Sequence, residues 1–285
     1  MKNVAIRWLL PLAVAIICAI LIWVFVRSHF FIASGNDMYP FASDGDVIYT
    51  QKADSIKKDD ILLVSNPLDY KRNNPRRSSS RCVACPGDKV QIYRKRLYVN
   101  GLLQQSDNRS FDAKILLFSS VDKDVAKNVY HLLPNNDTIV NTTFVLTQKQ
   151  FNSILADSII KNISQNILPN YLYDSNLYPF SRQFNFNKDY YGPITIPAKG
   201  LKIKLTAANY LFYKHLFNYG EKVKVEYRNG YYYVDGKKSD TYTFNHNYYF
   251  LLNDYIDNPS DSRTFGPVAD DEVLARVSSV FFNIK

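Results

Sequence analysis

Three short segments of this 285-residue chain concentrate the residue types that do chemistry. The first is Gly35-Asn36-Asp37-Met38-Tyr39-Pro40, followed by Gly45-Asp46. The second is Arg81-Cys82-Val83-Ala84-Cys85-Pro86-Gly87-Asp88. The third runs from Asn253-Asp254 through Asp257-Asn258-Pro259-Ser260-Asp261-Ser262-Arg263 to Phe265-Gly266-Pro267-Val268. Cys82 and Cys85 form a C-x-x-C, which suits a redox pair or half of a metal site. Redox pairs of that spacing sit at helix N-termini, where the dipole lowers the thiol pKa. Here the pair falls in a predicted strand, where positions i and i+3 point to opposite faces. A second C-x-x-C is absent, and His29, His131, His215 and His246 show no ligand spacing. The expectation is two buried apolar side chains, no metal and no cofactor.

The elements that must position these segments read mostly as β. The 22 Tyr and 18 Phe suit a pleated, half-buried surface. Val47-Ile48-Tyr49 and Ile61 to Val64 are apolar runs of strand length. Lys89 to Gly101 reads as a hairpin, and Lys222 to Gly236 as a second one turning at Asn229-Gly230. Ala269 to Arg276 predicts a short helix with acids in its first turn, and Val277 to Phe282 a closing strand. Residues 102–189 are polar and rich in Asn and Asp, with one helix predicted inside Val145 to Ile163, and read as an insertion of unknown role on a β framework.

At the N-terminus, Trp8 to Val26 carries no charge and would span roughly 28 Å as a helix. Its length and the lack of an A-x-A site favour an uncleaved anchor over a signal peptide. Trp8 and Trp23 near its ends fit interfacial anchoring, and Lys2 and Arg7 before it predict a cytoplasmic N-terminus. Residues 28–285 would then be exported, to the periplasmic side in a bacterium. The net charge is +9, from 35 Lys+Arg and 26 Asp+Glu, with basic residues concentrated in Lys71 to Arg81. An exported domain is not expected to meet nucleic acid. A solvated basic loop is the first reading of that stretch, and anionic lipid of the bilayer is a second.

The boxes, in this order behind an anchor, resemble the type I signal peptidases, membrane-anchored proteases that use a Ser/Lys dyad. The matching features are x-Met-x-Pro with Gly-Asp downstream, Arg-x-x-x-x-Pro-Gly-Asp with Leu-Tyr-Val-Asn-Gly after it, Asp-Ser-Arg, and Phe-Gly-Pro-Val. The resemblance implies a short cytoplasmic tail (1–7), an anchor (8–27), and an antiparallel β core from 34–101 and 190–285. It implies Met38, Pro40, Arg81, Pro86, Gly87, Asp88, Asp261, Ser262 and Arg263 as groove and scaffold residues. Asp261 and Arg263 would form an ion-pair framework beneath the site, with Arg81 a candidate partner.

Carried over position by position, the dyad is replaced. The family's nucleophilic serine falls on Asp37, its general-base lysine on Ser80, and the serine that orients the lysine on Pro259. The small residue supporting the oxyanion falls on Gly35, or on Ser34 if one residue slips. A carboxylate attacking an amide would give a high-energy mixed anhydride, and a serine hydroxyl is no base near neutral pH. The resemblance therefore implies a protein of the secretory signal-peptide pathway that binds signal peptides, preproteins or an active paralogue without cutting. The alternative is an active enzyme with relocated groups, for which Ser34, Ser43, Lys71 and Lys89 are nearest in sequence. The geometric expectation is that Asp37 and Ser80 face each other, with the Ser80 hydroxyl donating to the carboxylate.

Overall fold

The structure, a computed structural model, describes residues 2–69, 77–105, 109–117, 142–155 and 160–281. Lys71 and most of the basic stretch lie outside the described residues. The chain opens with one helix, Lys2–His29, with Pro11 inside it. From Pro11 to His29 it is apolar and long enough to cross a membrane, and it is not buried against the rest of the chain. In water such an all-round apolar surface has no place to hide, and a bilayer supplies one.

The strands are β1 (Phe30–Ile32), β2 (Val47–Gln51), β3 (Ile61–Ser65), β4 (Arg77–Ala84), β5 (Lys89–Tyr93), β6 (Arg96–Val99), β7 (Leu102–Leu103), β8 (Ser110–Leu117), β9 (Thr142–Thr147), β10 (Ile160–Gln165), β11 (Tyr190–Thr195), β12 (Lys202–Lys204), β13 (Val225–Arg228), β14 (Tyr231–Val234), β15 (Lys237–Lys238), β16 (Thr241–Thr243), β17 (Tyr248–Leu252), β18 (Val268–Ala269) and β19 (Val273–Phe281). Their pairings within sheets are antiparallel. The class is therefore mostly antiparallel β with a few helices, as expected. A seven-stranded sheet runs in the order β1-β2-β19-β3-β4-β17-β18, and a four-stranded one in the order β11-β5-β6-β7.

Period-two patterning explains the second sheet. Val90 and Ile92 of β5 are buried while Lys89 and Tyr93 face water, which is the alternation a half-buried strand needs. The β5–β6 turn places Arg94 and Lys95 at φ 54° and 62°, the double positive-φ turn whose twist matches the strands. Asn229 and Gly230, at φ 51° and 80°, make the same turn between β13 and β14. The main core joins Val90, Ile92, Leu97 and Val99 to an aromatic group that includes Tyr178, Phe217, Phe244 and Phe250.

Two local expectations are corrected. Ala269 to Arg276 is not a helix. Asp270–Glu272 forms a single 3-10 turn, and Val273 already begins β19. β19 pairs with β3 from Val273 to Arg276 and with β2 from Arg276 onward, so ladder hydrogen bonds to distant strands override the helix-start signal. The helix Ala207–Tyr219 was not read from the sequence. Its aromatic residues lie on several faces, so no clean apolar stripe marks it, although Thr206 caps it by accepting from the Asn209 N–H at 3.2 Å. The predicted helix inside Val145 to Ile163 is present as Gln148–Leu155.

Buried Glu221, just past that longer helix, ties it to the sheets. It accepts from the phenols of Tyr242 (2.6 Å) and Tyr248 (2.9 Å) and from the Asn245 N–H (2.9 Å). Gly220 leaves room for this contact, since a Cβ there would lie 2.4 Å from the Tyr248 hydroxyl.

Candidate functional site

Two chain segments meet at the site. The connection from β1 to β2 carries Asp37, and the connection from β17 to the short helix Ser262–Phe265 carries Asn253 to Asp261. They are stitched by the Tyr255 N–H donating to the Asp37 carbonyl at 3.0 Å. Met38 is buried with Ala42 and Ile61, which fixes the turn that presents Asp37. Pro40 follows it within the same turn. Buried Asp46 closes the loop by accepting from the Ser43 N–H at 2.8 Å.

Ser80 lies on β4, fully buried, opposite Leu62 of β3. It does not donate to Asp37 as expected. Its hydroxyl donates to Asn253 Oδ1 at 2.7 Å. Asn253 Nδ2 donates to Ser260 Oγ at 3.1 Å, and the Ser260 hydroxyl donates to Asp37 Oδ2 at 3.2 Å. Asn258 Nδ2 donates to Asp37 Oδ1 at 2.5 Å. Asp37 and Ser80, the positions onto which the resemblance places the dyad, are thus joined by a relay through Asn253 and Ser260 rather than by direct contact. Every donor in the relay points toward the Asp37 carboxylate, so the chain of bonds has one direction.

Asn253 and Ser260 lie in the third segment, but sequence reasoning gave neither a role in linking Ser80 to Asp37. The comparison stopped at Pro259, which has no donor, and the hydroxyl that reaches the site comes from the next residue. Pro259 contributes its carbonyl, which accepts from the Thr264 hydroxyl.

Beneath the relay lies a buried ionic framework. Arg263 holds Asp261 through Nε at 2.9 Å and Nη2 at 2.7 Å. Its remaining donors reach the carbonyls of Ile256 at 2.6 Å, Asn258 at 3.0 Å and Lys188 at 3.3 Å. Asp261 Oδ2 also accepts from the Asn253 N–H at 3.0 Å, so this pair sets the position of the relay residue. Ser262 Oγ accepts from the Leu251 N–H at 2.9 Å. Arg81 is not a partner of Asp261. It forks onto Asp254 at 2.7 and 2.6 Å and donates to the Asp59 carbonyl at 3.1 Å. Burial opposes the Arg81 charge, but the hydrogen bonds and charge of Asp254 outweigh it and raise its pKa.

The Pro86-Gly87-Asp88 turn caps the end of β4. Gly87 adopts φ 88°, a conformation that costs a side-chain-bearing residue energy. Asp88 accepts from the Cys85 N–H at 2.8 Å and from Asn100 Nδ2 at 2.7 Å. Burial alone would raise the Asp88 pKa, but these bonds and Lys58 hold it below the ordinary value. Both thiols are free. Cys82 is buried as expected, whereas Cys85, just past the strand end, is only half-buried. Burial is the first cause raising each thiol pKa, the opposite of a reactive thiolate.

The amines of this region are committed. Lys95 and Lys188 both donate to Asp257, Lys188 at 2.6 Å. Their bonds pull the Asp257 pKa down against burial, which would raise it. Lys89 is exposed on β5. His246, Asp270 and Asp271 converge within 4.8 Å elsewhere, but Lys222 already pairs with Asp271 at 3.1 Å.

Asp37 opens into a groove of about 140 Å³. Phe31, Met38, Ile48 and Leu63 supply apolar walls, and Ser34, Gly35, Ser78 and Ser79 a polar rim. Among the described residues, β17 pairs with β4 only from Arg81 onward, while Arg77 to Ser80 pair with β3 alone. The arrangement can receive an extended chain alongside the Asp37 carboxylate and the serines of the rim. Among the described residues it presents no hydroxyl paired with a free amine.

No curated protein sequence matches the chain closely enough to count as a relative. Among solved structures, a signal peptidase I from Enterococcus faecalis V583 is similar at 14% identity, with 79% of this chain and 97% of that chain covered and a TM-score of 0.30. That score is too low to carry an argument. The sequence itself matches the model of the family described as signal peptidase, peptidase S26, over residues 5–154 and 219–282. That match takes in the apolar helix, the segments bearing Asp37 and Ser80, and the Asp254 to Arg263 framework, and on it the chain belongs to the signal peptidase family.

Proposed function

We propose that this family member holds signal peptides or preproteins in its groove without cutting them. The observation that carries the reading is the fate of the two dyad-equivalent side chains. Asp37 places a carboxylate where the family's attacking hydroxyl would stand, and Ser80 spends its hydroxyl on Asn253. Attack and proton transfer act as a unit, and loss of one member of such a unit typically costs about 10⁴–10⁶ in turnover. The scaffold residues Met38, Pro40, Arg81, Pro86 to Asp88 and Asp261 to Arg263 support a retained groove. We assign residues 8–27 as the anchor, 34–101 and 190–285 as the β core, and 102–189 as an insertion. An active paralogue that receives the bound peptide is the partner this role calls for.

The test is binding with recovery of intact ligand. The full chain in detergent should bind a labelled signal peptide saturably, and the peptide should be recovered uncut. Absence of saturable binding would overturn the reading.

A second reading has one observation behind it. Exposed Ser260 donates its hydroxyl to Asp37 at 3.2 Å, so a relocated serine with a carboxylate base is geometrically open. Cleavage that disappears in Ser260→Ala would select it.

For topology we assign a single-pass protein of the bacterial inner membrane, with the N-terminus cytoplasmic and residues 28–285 exported, from Lys2 and Arg7. Protease added to intact spheroplasts should degrade the C-terminal part. Full protection there, with cytoplasmic reporter activity at residue 285, would reverse the orientation.

A further inference from the structure

The carboxylates around the site are not treated alike. Asp254 pairs with Arg81, Asp257 with Lys95 and Lys188, and Asp261 with Arg263. Asp37 is held by two neutral donors, Asn258 and Ser260, and among the described residues no cation pairs with it. It is half-buried and lines the groove. The cation on the same groove, Arg77, stacks its guanidinium over the Phe31 ring at 5.2 Å. Ser78 also lines the groove, but its Oγ is turned away from solvent and makes no hydrogen bond. A half-buried carboxylate with no positive partner among the described residues therefore faces this concavity.

Taking the peptide-binding reading as its basis, we infer that this groove recognises a primary ammonium on the bound peptide, with Asp37 as its counter-ion. The ammonium comes from a lysine side chain or from a free α-amino terminus. An ammonium is a compact charge with three donors, able to use one free lone pair of Asp37. A guanidinium fork fits less well, because each Asp37 oxygen already accepts one bond and a side-on pair needs both oxygens in one direction. An acidic residue at this place in the peptide would meet like charge.

The experiment compares four versions of one extended peptide, with the α-amine free or acetylated and a single lysine free or acetylated. Binding to the full chain in detergent is read by fluorescence anisotropy. The unmodified protein should bind at least one free-amine peptide about tenfold more tightly than the fully acetylated one, and which amine matters identifies the source. That ratio should fall toward one in Asp37→Asn, and in the unmodified protein as salt rises from about 50 to about 500 mM. Equal binding of all four peptides by the unmodified protein would overturn the inference while leaving the peptide-binding reading intact. No binding of any peptide would overturn both. A preference that persists in Asp37→Asn, or that salt leaves untouched, would place recognition elsewhere and also overturn it.

Discussion

If the chain binds without cutting, as proposed, Asp37→Ser combined with Ser80→Lys should give cleavage of preproteins with turnover about 10²–10⁴ above the unmodified protein. The estimate starts from the worth of an intact nucleophile–base unit, about 10⁴–10⁶. It is reduced because a misplacement of about 1 Å costs about a hundredfold. The geometry favours recovery. A lysine replacing fully buried Ser80 would enter the pocket next to Asn253 Oδ1, with Ser260 Oγ the next group in the relay. Burial there would depress the amine pKa, which is what a neutral base requires. Removing the Asp37 carboxylate also removes the group that would otherwise pair with that amine and keep it charged. Pro259→Ser should improve the rate further by adding a hydroxyl to orient the amine. The assay is cleavage of a preprotein with small residues at −1 and −3. An inactive triple variant that still folds and binds peptide would show that the groove has lost catalytic geometry.

Arg263→Ala should be the most damaging single change to the fold. Arg263 is almost fully buried and its guanidinium grips Asp261 with two bonds while tying three backbone carbonyls. Truncation would leave Asp261 charged and unpaired in the interior, a mechanism worth about 3–5 kcal/mol. That is a large part of the roughly 5–15 kcal/mol that holds a typical domain together. Asp261 also accepts from the Asn253 N–H, so the relay should lose its order together with the fold. Replacing both partners, Asp261→Asn with Arg263→Met, should cost less than Arg263→Ala, because no lone charge remains. Urea midpoints of the full chain in detergent measure both. A loss below about 1 kcal/mol for Arg263→Ala would show that the pair is better hydrated than its burial implies.

Legibility in the sequence followed how local each signal was. The two hairpins were readable because their turns need particular backbone conformations and their strands alternate, both short-range facts. The apolar helix was readable because its uncharged run is uninterrupted. The segment Ala269 to Arg276 misled because its acids mimic a helix start, while the pairing of β19 with β2 and β3 comes from residues far away in the chain. The helix Ala207–Tyr219 was hidden by aromatic residues that serve several faces at once.

The site divides in the same way. The residue types that mark it, Asp37, Ser80, Arg81 and Asp261 to Arg263, stood out by resemblance. Their partners did not. That Arg81 chooses Asp254 over Asp261 depends on the β4–β17 register. The approach of Ser260 to Asp37, across 223 positions of sequence, is a product of the fold.

The most direct measurement of the central claim is cleavage by the unmodified full chain. The purified protein, in detergent, is incubated with a preprotein carrying small residues at −1 and −3, beside the Asp37→Ala, Ser80→Ala double variant and Ser260→Ala. The account predicts no cleavage product above background from any of the three. Robust cleavage by the unmodified chain, retained in the double variant, would contradict it.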